Sequence, residues 1–100
     1  MIPMDLSGKV AVVTGAGIGI GKSIALRMSE AGATVVGCQR SEKTGMALED
    51  ELWKRFGRGK FVKCDVSKEE DVKSLISGTV DEFGRLDILV TTTIIESGID

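Results

Sequence analysis

A chain of 100 residues can enclose one modest hydrophobic core. Its 42% hydrophobic and 28% charged residues and formal net charge of -2 suit a soluble globular protein; no basic cluster points to nucleic acid, and no apolar run is long enough for a membrane span. Histidine is absent, which excludes histidine-dependent triads and histidine-ligated metals, and Cys38 and Cys64 lack metal-ligand spacing, so no metal site is expected.

Met1 to Asp5 shows no basic region followed by a long apolar stretch, so no signal peptide is expected. The two cysteines predict buried thiols in a reducing, cytoplasmic setting, with a redox pair as the alternative. Val10-Ala11-Val12-Val13 reads as a strand covered on both faces. A glycine-rich turn follows. The spacing then predicts a helix over Lys22 to Ala31, with Ile20, Ile24 and Met28 as its apolar stripe and Gly32 as its stop. Thr34 to Cys38 reads as a second strand. Ser41 can cap a second helix that carries Leu48, Leu52 and Phe56 on one face and ends at Gly57. Lys60 to Cys64 reads as a third strand, whose lysines suit a sheet edge. Ser67-Lys68-Glu69-Glu70 has the form of a capping box, opening a helix with Val72, Leu75, Ile76, Val80 and Phe83 on one side and Gly84 at its end. Asp87 to Val90 begins a fourth strand.

This alternation predicts an α/β fold with a parallel sheet. Right-handed crossovers put the first two helices on one face and the third on the other, giving four strands in the order 3-2-1-4 and a doubly wound, Rossmann-like arrangement. Ligands bind such sheets at the carboxyl ends of the strands, where the order reverses between strands 1 and 4. The glycine turn falls at that point. No repeat or internal linker divides residues 1–100, which read as one domain.

Thr14-Gly15-Ala16-Gly17-Ile18-Gly19-Ile20-Gly21 joins a strand to a helix start. Such a turn lets backbone approach a phosphate and presents helix N-terminal amides to it. The glycines miss the Gly-x-Gly-x-x-Gly spacing by one position and fit Thr-Gly-x-x-x-Gly-x-Gly instead. A rival is the triphosphatase loop Gly-x-x-x-x-Gly-Lys-Ser/Thr, which Ala16 to Ser23 matches except for Ala16. In that reading Lys22 reaches the terminal phosphates and Ser23 holds magnesium, while Asp65 is a poor second metal ligand because Lys63 interrupts its strand.

With these features together, the chain resembles the cofactor-binding half of a short-chain dehydrogenase/reductase, and its details look similar to hydroxysteroid and sugar-alcohol dehydrogenases. The resemblance rests on the glycine motif, on Gln39-Arg40 at the end of the second strand, on Cys64-Asp65-Val66, and on Asp87-Ile88-Leu89-Val90. It implies an NAD(P)-binding oxidoreductase that moves a hydride between a nicotinamide dinucleotide and an alcohol or ketone. The implied cofactor site comprises Gly15, Ile18, Gly19, Ile20, Gly21, Gln39, Arg40, Asp65, Val66 and Thr91. Backbone at Ile18 to Ile20 would meet the pyrophosphate. Asp65, with Val66, would meet the adenine, the alternative for Asp65 being an N-terminal helix charge. Neutral Gln39 does not repel a 2′-phosphate and Arg40 could clamp one, which favours NADP; glutamine can also bond a ribose diol, so NAD stays open.

The family pattern Asn-Asn-Ala-Gly would fall on Thr91 to Ile94, where Ile94 replaces a glycine. The family's Tyr-x-x-x-Lys pair is absent, since the chain has no tyrosine. No catalytic residue is assigned, and the chain is expected to be a truncated family member that is not catalytic alone. Ile88 to Ile95 would form a long β-prone edge suited to homo- or hetero-oligomerisation. Alternatives are a non-catalytic module pairing with a full-length relative and a phosphate-loop triphosphatase.

Overall fold

Short apolar runs separated by amphipathic stretches can satisfy their backbone as parallel strands only if each crossover helix returns over the sheet. The computed structural model describes residues 5–92 and shows that arrangement. The elements are β1 (Val10–Thr14), α1 (Gly19–Glu30), β2 (Thr34–Gln39), α2 (Glu42–Phe56), β3 (Lys60–Lys63), α3 (Glu69–Phe83) and β4 (Ile88–Val90). All strand pairs are parallel and the order is β3-β2-β1-β4, as expected.

Every residue of β1 is buried, consistent with a central strand covered on both faces. On one face Ala11, Val13 and Val35 pack with Ala25 of α1 and Leu48 and Leu52 of α2. On the other, Val12, Val36, Cys38 and Cys64 meet Leu75 of α3. Gly45 brings α2 against β3: a Cβ there would overlap the Phe61 ring. Ser41 caps α2 through Thr44 N–H (3.4 Å), and Gly57 and Gly84 end α2 and α3 in the left-handed conformation.

Three expectations are corrected. Helix α1 begins at Gly19, ahead of Lys22, and Ile20 is 75% exposed; its buried positions are Gly21, Ala25 and Ser29. The small residues face the sheet because the helix start lies too close to it for a larger side chain. The capping box at Ser67 does not form. Lys68 is the N-cap without a side-chain bond, and Ser67 N–H and Oγ–H both donate to Asp65 Oδ1 (3.0 and 2.7 Å), making an Asx turn. Val80 is exposed; Thr79 is buried in its stead, its hydroxyl donating to Leu75 O at 2.7 Å.

Leu89 is half exposed on the α3 side, and the outer edge of β4 pairs with no strand among the described residues. The expected extension through Thr93, Ile94 and Ile95 lies outside them. No described helix is long and apolar enough to cross a membrane.

Two polar devices hold the end of the sheet away from the glycine turn. Arg58 donates to Ala33 O, Phe56 O and Ser29 O (3.0, 3.0 and 2.6 Å), placing one cation on the C-terminal carbonyls of α1 and α2 and the entry to β2. Asp87 accepts from Val10 N–H (2.9 Å) and takes a two-pronged bond from Arg85 (2.8 Å each). Arg85, then Val10, hold its carboxyl down to about 2 from the usual 3.8.

Replacing Arg58 by alanine should lower unfolding free energy by about 2 kcal/mol in chemical denaturation, with lysine recovering only part. The depressed Asp87 value means that its stabilisation is complete above the unfolded-chain value and is lost as pH falls toward the folded one. Asp87→Asn should therefore flatten the stability profile between about pH 4 and about pH 2; an unchanged slope there would rule out this role.

Candidate nucleotide-binding site

In a parallel sheet all carboxyl ends lie along one edge, and the glycine turn leaves β1 at that edge. Gly15 has φ 65 and Gly19 φ 58, conformations that side chains disfavour. A Cβ on Gly21 would collide with the Gly15 carbonyl, and one on Gly15 would collide with Thr92 Oγ1. The first turn of α1 therefore rests directly on the backbone at the end of β1. Thr92, just past β4, closes this contact: its N–H donates to Thr14 Oγ1 (3.1 Å) and its hydroxyl to Thr14 O (2.6 Å).

The turn is also tied to β2. Gly15 N–H and Ala16 N–H donate to Cys38 O (2.7 and 3.3 Å), and Gly17 N–H donates to Gln39 Oε1 (2.6 Å). Gly17 has no room for a side chain because the Gln39 amide lies against it. Ile18, the N-cap of α1, supplies no side-chain acceptor, so the leading amides of the helix keep their donors. A Cβ on Gly19 would meet nothing within 4 Å. Ile18 and Ile20 are exposed at this rim. The result is an open, electropositive backbone cradle.

The structure thus brings Gly15, Gly21 and Gln39 together, with Ile18, Gly19 and Ile20 on the rim. Arg40, Val66 and Thr91 are exposed along the same edge of the sheet. Asp65 stands at the end of β3, its carboxyl held below the usual range chiefly by the Ser67 hydroxyl and amide, with Arg40 and Lys68 assisting. Thr14 and Gly17 belong to the glycine motif but are given no individual role by the sequence, and Thr92 is given none either. Thr92 occupies the second position of the family's Asn-Asn-Ala-Gly pattern, and that correspondence was the available signal.

The triphosphatase reading is not favoured. Lys22, which would have to reach the terminal phosphates, pairs with Glu51 across α1 and α2 (3.3 Å). Cys38 donates to Cys64 O (3.8 Å), and burial, with Cys64 alongside, pushes its thiol far above the ordinary value. A buried neutral thiol is a packing group rather than a nucleophile.

The pattern of the short chain dehydrogenase family matches residues 9–98. This chain belongs to that family. It is similar to L-fucose dehydrogenase of Oryctolagus cuniculus, with 53% identity over 85 residues that cover 84% of this chain and 28% of that protein. Among solved structures, L-sorbose reductase from Gluconobacter frateurii, complexed with NADPH and L-sorbose, superposes with a TM-score of 0.87 at 35% identity, covering 93% of this chain and 36% of that one. A hydroxysteroid dehydrogenase from Escherichia coli gives a TM-score of 0.82 at 35% identity over 85% of this chain and 35% of its own. The chain spans about a third of the length of these short-chain dehydrogenase relatives.

Thr92→Val keeps the shape and removes the hydroxyl bond; it should cost about 1 kcal/mol of stability by denaturant titration. Gly21→Ala should cost more, since its Cβ would meet main chain that cannot move aside.

Proposed function

We propose that this chain forms the dinucleotide-binding part of an oxidoreductase acting between an alcohol and a ketone, with NADP as its cofactor. The bound nicotinamide supplies the hydride acceptor or donor. The observation that carries this reading is the cradle itself: Gly19 opens on free space at an uncapped helix start, between exposed Ile18 and Ile20. The backbone amides of Ile18 to Ile20 would hold the pyrophosphate without any side chain. Gly15 and Gly21 would act indirectly, by seating the helix on the strand end. Asp65 and Val66 would flank the adenine, and Thr91, which is exposed, would meet the nicotinamide ribose.

Selectivity for NADP follows from charge. The Gln39 amide is neutral and already turned onto Gly17, so nothing at the end of β2 repels a phosphate. Arg40 is exposed and makes no ion pair among the described residues. A planar guanidinium suits a 2′-phosphate. No catalytic residue is assigned within these 100, which contain no tyrosine. The substrate class is left at alcohol or ketone, since the relatives are named for sugars and steroids alike. Unpaired buried thiols support a reducing, cytoplasmic setting. The outer edge of β4, which pairs with no strand among the described residues, supports homo- or hetero-oligomerisation through it.

Titration with NADPH, NADH and Mg-ATP tests the proposal. NADPH should bind tightest, and Gly19→Val should abolish binding by filling the cradle. Arg40→Ala should weaken NADPH about 10-fold, equivalent to about 1.4 kcal/mol, with little effect on NADH. A preference for Mg-ATP lost with Lys22→Ala would overturn the reading.

A further inference from the structure

Two lysines mark the edge strand β3, and the structure sends them to opposite faces. Lys60 turns to the α3 side and pairs with Glu82. Lys63 lies three residues on, and alternation along a strand turns it to the other face, the side on which Phe61 packs against Gly45 of α2. Its register partner is Gln39. Paired residues on neighbouring strands project from the same face, about 5 Å apart. Gln39 points to the glycine turn, as its bond to Gly17 shows. Lys63 therefore stands beside Gln39 on the cofactor side, at the outer flank of the sheet. It is exposed and makes no ion pair among the described residues. Glu49, an α2 carboxylate that reaches β3, is occupied by Phe61 N–H (2.7 Å).

The geometry points to Lys63 as a second specificity-determining cation, which meets the 2′-phosphate of NADP from β3 while Arg40 meets it from the end of β2. This rests on the NADP reading above. A phosphate monoester carries nearly two negative charges at neutral pH, so one guanidinium leaves part of its charge uncompensated. The flexible ammonium of lysine suits a partner reached from an adjacent strand. Lys60, on the far face, has no part in this.

The test is the dissociation constant of the protein for NADPH and for NADH, measured side by side in variants. Lys63→Ala should weaken NADPH about 5-fold and leave NADH unchanged, with the difference shrinking as salt is raised. Lys63→Arg should keep NADPH binding, and Lys60→Ala should leave the NADPH-to-NADH ratio as it was. An unchanged NADPH constant in Lys63→Ala, or equal weakening of both cofactors, overturns the inference. If NADPH binding depends on Arg40 but not on Lys63, only this inference falls. If the protein binds neither dinucleotide, the proposed function falls with it.

Discussion

The contact on which this molecule turns is between two pieces of backbone. The start of α1 lies on the Gly15 carbonyl, with Gly21 bare at the point of approach and the Thr92 hydroxyl filling the remaining gap. A side chain at Gly15 would push Thr92 out of its place, and one at Gly21 would lift the helix from the strand. The helix axis would then no longer deliver its amides to the mouth between β1 and β4. The same demand explains why the buried side of α1 is made of Gly21, Ala25 and Ser29, and why Ile20 is turned outward. Close packing and ligand geometry are one constraint here.

The two ends of the sheet are built differently. At the amino ends of the strands, Arg58 gathers three carbonyls and Asp87 joins the beginnings of β1 and β4. Two of the Arg58 bonds, to Ser29 O and Phe56 O, engage carbonyls at helix ends that lack partners within the helix. At the carboxyl ends, the N-cap of α1 offers no side-chain acceptor and the rim carries exposed Ile18, Ile20 and Val66. Main-chain groups are tied down by side chains at the amino ends, although Ser29 Oγ is buried there without a partner among the described residues, whereas the helix start at the carboxyl ends carries no side-chain cap. The faces also differ: two helices cover one, while α3 alone covers the other and leaves Leu89 half exposed.

Electrostatics along the open edge divides by strand. The turn after β1 offers oriented dipoles, the end of β2 a neutral amide and a guanidinium, and β3 a lysine followed by a carboxylate anchored to Ser67. That carboxylate is tied into its own turn, and Arg40 and Lys63 are exposed without an ion pair among the described residues. Such a sequence of groups suits an elongated ligand with anionic centres at separate points rather than a compact triphosphate with a metal.

Strand order, helix sides and the position of the glycine turn were legible in the sequence because each follows from local periodicity, turn residues and the handedness of crossovers. The glycine motif, Gln39-Arg40 and the strand after Asp87 were likewise legible as a family pattern. Tertiary structure alone decided which face of α1 is buried, since that depends on how closely the helix meets the strand and not on where its apolar residues fall. The bonds from Ser67 to Asp65 span two residues and are local turn chemistry that competes with the capping box. Tertiary structure also decided that Thr92, remote in sequence from the glycines, would plug the space between them. Hydrophobic period and turn chemistry act over a few residues, whereas a backbone contact across 70 or more positions exists only once the sheet has assembled.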